Sequence, residues 1–65
     1  MMKLTTSFGY DIYELSEDEC DERFYEYPTF AVFVEGENYD TVGVEETSEA
    51  SLNDALAWCE RYRRC

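Results

Sequence analysis

The 65-residue chain contains no histidine, and so lacks the side chain most often used as a general base near neutral pH. It has no G-x-S-x-G, no P-loop, no G-x-G-x-x-G and no close pair of cysteines. The common nucleophile-base, phosphate-cradling and zinc constellations therefore have no residues from which to form. No run of 18 apolar residues occurs, and the opening MMKLTTSFGYD has no apolar core of a secretory signal, so the expectation is a cytoplasmic protein without a membrane segment. Bases are scarce too, with five Lys and Arg against sixteen Asp and Glu, a formal charge of -11. Such a charge opposes direct nucleic-acid binding, which depends on arrays of Lys and Arg.

The three cysteines, Cys20, Cys59 and Cys65, are odd in number and far apart. They fit neither a disulfide framework nor a metal site, and reduced thiols are expected, with Cys59 buried as a small hydrophobe. A cross-link through Cys65, beside Arg63 and Arg64, would be an artefact of oxidation. The acidic run Glu17 to Glu22 has neither the alternating ligand spacing nor the central glycine of a calcium loop. No metal, no cofactor and no catalytic residue is expected, and the chain reads as a non-enzyme.

What is present is enough apolar sequence for a fold. Hydrophobic residues make up 45% of the chain and aromatics 17%, too much for a disordered acidic tail. The expected class is α+β, a single domain spanning 1-65. It has a small three-stranded, mainly antiparallel sheet, a C-terminal helix on one face, and a short acidic helix or loop after the first strand.

A first strand is expected over Tyr10 to Leu15, preceded by a polar lead in which Leu4 could extend a strand and Gly9 could mark a start or a bulge. Ser16 and Glu19 match a capping box for a helix from about Glu17 to Glu26, the alternative being a loop that leads into an edge strand. Cys20, Phe24 and Tyr27 follow at spacings of four and three as one narrow apolar stripe, and Arg23 is spaced to pair with Glu19 or Glu26. Phe30, Val32 and Val34 then alternate against Val42 and Val44, predicting a hairpin with Val34 opposite Val42, Phe33 opposite Gly43, and Glu37-Asn38-Tyr39 at the tip. Ser48 or Ser51 caps the last helix, the latter with Asp54 at N3. Its face of Leu52, Ala55, Leu56 and Cys59 should lie on the Phe30, Val32, Val34, Val42, Val44 side of the sheet.

The charge is unevenly placed. Fourteen acids lie between Asp11 and Glu49 against Arg23 alone, whereas from Ala50 onward two acids meet three arginines. A solvated face or adaptation to high salt would account for acidity, but salt adaptation should decorate the last helix as well. The functional expectation is a surface for a cationic partner that otherwise holds DNA. Its principal contacts are Glu17, Asp18, Glu19, Asp21, Glu22 and Glu26, with Glu35, Glu37 and Asp40 second. Tyrosines interleave these acids and supply contact area at low entropic cost.

Small size, absent catalytic residues, extreme acidity and a β-hairpin followed by a helix make the chain resemble the small acidic anti-CRISPR proteins of bacteriophages and mobile elements, of the DNA-mimic type. The resemblance implies an inhibitor in the host bacterial cytoplasm that blocks target DNA binding by a type I Cascade effector. It would bind a basic DNA-binding surface on a Cas8-like or Cas7-like subunit, as a monomer or weak homodimer. It assigns no residue roles position by position, and anti-restriction DNA mimics are a neighbouring reading. The alternative from a different class is a non-catalytic interaction module, phage regulatory or antitoxin-like, that uses the Trp58 and Tyr62 flank.

Overall fold

The computed structural model describes residues 1-64; the reading of Cys65 lies outside the described residues. The chain runs β1 (Met2–Ser7), β2 (Tyr10–Glu14), α1 (Glu17–Glu22), β3 (Phe30–Val34), α2 (Tyr39–Val42), β4 (Thr47–Glu49) and α3 (Leu52–Arg61). The four strands form one antiparallel sheet in the order β1-β2-β3-β4. The α+β class stands, with one strand more than expected.

The extra strand is the polar lead itself. Met2–Ser7 pairs with β2 through a two-residue turn at Phe8 and Gly9, both with positive φ, 53° and 85°. That is the handedness a tight hairpin needs to match strand twist. Gly9 is thus a turn residue, and a Cβ there would meet the Cβ and carbonyl oxygen of Arg64 at 2.9 and 3.0 Å. Next to it, Arg64 N–H donates to the Phe8 carbonyl at 2.9 Å.

β2 pairs with β3, Tyr10 opposite Val34 and Ile12 opposite Val32. The alternation along both strands divides the core between two faces of the sheet. On one face Tyr10, Ile12 and Val32 pack with Ala55 and Cys59 of α3, flanked by Phe30, Val34, Leu52, Leu56 and Trp58. On the other, Ala31 and Phe33 pack with Leu15 and with Cys20 of α1, flanked by Tyr13, Tyr25 and Tyr39 of α2. Each fully buried Ile12, Val32, Leu15 or Phe33 side chain contributes about 1.5–3 kcal/mol. Burial on both faces lets so short a chain hold a core. Cys20 and Cys59 are free and buried on opposite sides of the sheet, which keeps them from pairing with each other.

The expected second hairpin arm is corrected. Val42 and Val44 are 41% and 66% exposed and belong to no strand. Asn38 caps a four-residue helix by accepting from the Asp40 and Thr41 amides. The Thr41 hydroxyl accepts from Asn38 N–H, and Gly43 closes the helix at φ 77°. This local hydrogen bonding outcompetes strand pairing for two valines that would gain little burial. The partner of β3 is instead Thr47–Glu49, with Phe30 opposite Glu49 and Val32 opposite Thr47. Phe33 lies opposite Asp11, and the ring expected over Gly43 packs on Tyr39.

The two other helices follow their caps. Ser16 and Glu19 form the capping box, with Ser16 N–H donating to Glu19 Oε1 at 2.8 Å and Glu19 N–H to Ser16 Oγ at 3.2 Å. The helix ends at Glu22, four residues earlier than expected. Ser51 accepts from the Asp54 amide at 3.1 Å and starts α3. Trp58 sits edge-on to Tyr10 with ring centroids 5.1 Å apart, and Tyr10 Oη donates to the Tyr62 carbonyl at 2.7 Å. The Trp58 flank thereby closes the rim of the α3 core. Among the described residues no helix is long and apolar enough to cross a membrane.

Candidate functional site

α1 and α2 cover one face of the sheet and α3 the other, so the acids of the two short helices share one layer. α1 brings Glu17, Asp18, Asp21 and Glu22 to the surface, with Glu19 half-buried. Exposed Asp40 lies in the first turn of α2, and half-buried Glu37 precedes its cap. Exposed Glu26 lies in the loop between α1 and β3, and exposed Glu35 follows β3, where its N–H donates to the Gly9 carbonyl at 3.0 Å. The face opposite carries α3, whose Asp54 and Glu60 stand against Arg61 and the arginines after it, and it also receives Glu14 and Glu49, the strand neighbours of Phe30.

The structure therefore brings Glu17, Asp18, Asp21 and Glu22 together on one short helix and adds Asp40 on the same side of the sheet. It separates Glu35, which lies at the Tyr10 end of the sheet near the β1–β2 turn. Glu37 and Asp40 are presented by a helix and its lead, in place of the expected hairpin tip. Glu19 is already engaged: besides its part in the capping box it accepts from the Met1 ammonium at 2.8 Å. Those bonds, the one from the N-terminus foremost, hold its carboxyl below the ordinary range.

Two acids that counted toward the negative segment are structural. Asp11 is 2% exposed, and its carboxylate accepts from Thr6 Oγ1 at 2.5 Å and from Gly36 N–H at 2.9 Å. Burial pushes its pKa up, but those bonds and Lys3 outweigh it and leave the carboxyl below the ordinary value. Glu45 accepts from the hydroxyls of both Tyr25 and Tyr39. Burial raises its pKa, the two tyrosine bonds pull it down further, and the result lies below the ordinary value. Tyr25 is pushed upward first by its bond to Glu45, and Tyr39 first by burial.

Arg23, the one base of the segment, neutralises none of the carboxylates it was spaced to meet. Its guanidinium lies 4.1 Å over the Tyr39 ring, and Nη1 reaches the Glu19 carbonyl oxygen at 3.5 Å. Among the described residues, Met1 with Glu19 is the one ion pair. The last turn of α1 holds Asp21 and Glu22 and no base, which sets two negative charges beside the negative end of the helix dipole.

Sequence reading missed Phe24. It is 96% exposed with φ 61°, in the left-handed region that non-glycine residues seldom adopt. Tyr25 N–H donates to the Cys20 carbonyl at 2.9 Å and Phe24 N–H to the Asp21 carbonyl at 3.3 Å, the paired bonds of a Schellman helix end, in which glycine is the usual occupant of the Phe24 position. The stripe expected from Cys20, Phe24 and Tyr27 accordingly holds only for Cys20, because the helix has ended before the ring would turn inward. Among the described residues, no group of three or more thiols and carboxylates converges to hold a metal ion.

Compared with protein-family models, with curated proteins and with solved structures, the chain matches none.

Proposed function

We propose that this protein is a non-catalytic inhibitor that presents a DNA-mimicking acidic face to the basic groove of a DNA-binding complex, in the manner of an anti-CRISPR protein acting on a type I Cascade effector. The observation that carries the reading is the unpaired carboxylate array on the α1–α2 side of the sheet. Six helical residues span about 9 Å, and four unpaired acids over that length give about one charge per 2 Å, between the single-strand and duplex values of about 3.4 and 1.7 Å. Asp21 and Glu22 sit where the helix dipole disfavours them, so folding alone gives no reason for their charge. The partner is a lysine- and arginine-rich surface, and the protein acts without metal or cofactor in the bacterial cytoplasm.

Binding to purified Cascade, measured over a series of salt concentrations, tests this reading. A steep fall in affinity with ionic strength supports it; no binding, or binding indifferent to salt, removes it. The second reading is an interaction module that uses the opposite side, where Tyr62 is 49% exposed and packs at a tilt of 42° against Trp58 with centroids 4.9 Å apart. Salt-indifferent association lost on Tyr62→Ala would favour it.

A further inference from the structure

Phe24 adds something to the acidic face that a duplex backbone does not have. A duplex keeps its bases stacked inside and turns phosphates outward, so a faithful copy of its exterior would show carboxylates alone. Here a fully exposed aromatic ring projects from the end of α1, with Asp21 and Glu22 three and two residues before it and Glu26 two residues after; Arg23, the intervening base, turns its guanidinium onto the Tyr39 ring. Tyr27, 53% exposed, follows in the same loop. Unpaired strands combine these two features, anionic backbone and open ring faces. Proteins that hold such strands pair a basic groove with apolar or aromatic platforms on which bases stack.

The ring is held outward at a cost to the fold. Glycine would satisfy the same helix end without strain, and the Phe24 side chain contributes almost no burial in return. A residue that costs conformational energy, packs against nothing and stands among unneutralised acids has the character of an interface anchor. Resting on the mimic reading above, we infer that Phe24 is the anchor of the acidic face, and that its occupant is a protein groove built for unpaired nucleic acid: basic at its walls, with an apolar platform that receives the ring where a base would stack.

The test uses the full chain, its Phe24→Gly variant and purified Cascade carrying either a labelled unpaired oligonucleotide or a labelled duplex, neither complementary to the guide. The wild-type protein should displace the unpaired oligonucleotide at a lower concentration than the duplex. Phe24→Gly should need on the order of tenfold more protein or above for the same displacement, while melting about 4 °C higher because the left-handed position is relieved. Equal displacement by the glycine variant overturns the anchor and leaves the acidic reading intact. Preferential displacement of the duplex overturns the single-strand assignment. No displacement by wild type overturns both readings. Concentration-dependent self-association lost in Phe24→Gly would mean that a second copy covers the ring, and overturns the proposed occupant.

Discussion

The guanidinium of Arg23 lies 4.1 Å from the ring centroid of Tyr39. It joins the end of α1 to α2 across the face of the sheet that both helices cover. The contact explains how one arginine can sit among many acids without neutralising them, since its charge is directed at a ring face. Arg23→Ala should cost about 1 kcal/mol of stability in chemical denaturation, the order of a partly buried cation–π contact. If the face acts as proposed, partner binding should be undiminished, because the substitution removes a positive charge from it.

Glu45 locks the same region by accepting from Tyr25 and Tyr39. Glu45→Gln keeps the shape but loses the charge-assisted character of both bonds, with an expected loss of about 2 kcal/mol at neutral pH. The carboxyl is held below its ordinary value of 4.5 in the folded protein. Its contribution is thus complete above pH 4.5 and is lost as pH falls through the lowered folded value. The stability difference between wild type and Glu45→Gln should therefore shrink in acid. Tyr25 and Tyr39 are shifted upward from 10.0, so what their neutral forms contribute is present below pH 10 and lost as pH rises through the raised values. Tyrosinate absorbance should show two groups titrating late in wild type, and Tyr25 earlier in the variant.

Asp11 separates a structural carboxylate from the surface ones. Asp11→Ala removes the acceptor of the Thr6 hydroxyl and the Gly36 amide, both on exposed residues that water can reach, at an expected cost of about 1–2 kcal/mol. A denaturant titration should show that loss, while any Asp11→Ala protein that folds should bind its partner as wild type does.

The β1–β2 turn meets Arg64 at Gly9. Gly9→Ala introduces a Cβ at 2.9 Å from the Arg64 Cβ and at a φ of +85°. It should destabilise the protein by roughly 1–2 kcal/mol and raise amide exchange at Arg64, whose N–H donates to Phe8.

The parts of this fold that were legible from sequence are those in which burial and local chemistry agree. The Ser16/Glu19 box, the Ser51 cap and the Ala55 and Cys59 face of α3 were readable because cap and apolar spacing point the same way. β1 was hidden because, as an edge strand, it is mostly exposed on both sides and shows no alternation. β4 was hidden because its three residues are all polar. The Val42 and Val44 alternation misled because α2 is only four residues long, too short for a helical period to register. The Asn38, Thr41 and Gly43 signature of caps at both ends was nonetheless present in the sequence. In the candidate site, the acids of α1 were identifiable from charge density alone. The bonds from the Met1 ammonium to Glu19, from Gly36 to Asp11 and from Tyr25 to Glu45 were not, since each joins residues 18 or more apart in the chain. The spacing of Phe24 from Cys20 fits an apolar stripe on a helix that in fact stops one turn sooner.

The central claim is that carboxylates at the end of α1 occupy a site otherwise taken by nucleic acid. The measurement that tests it most directly is displacement of target DNA from purified Cascade by wild type and by the triple variant Asp21→Lys, Glu22→Lys, Glu26→Lys. Cations at positions 21 and 22, in the last turn of α1, favour the helix by about 0.3–1 kcal/mol each, and Glu26 is exposed in the following loop, so the variant should melt no lower than wild type. The account predicts that wild type displaces the DNA and that the variant, equally well folded, requires at least about tenfold more protein. Displacement by the reversed variant at wild-type concentrations would contradict it.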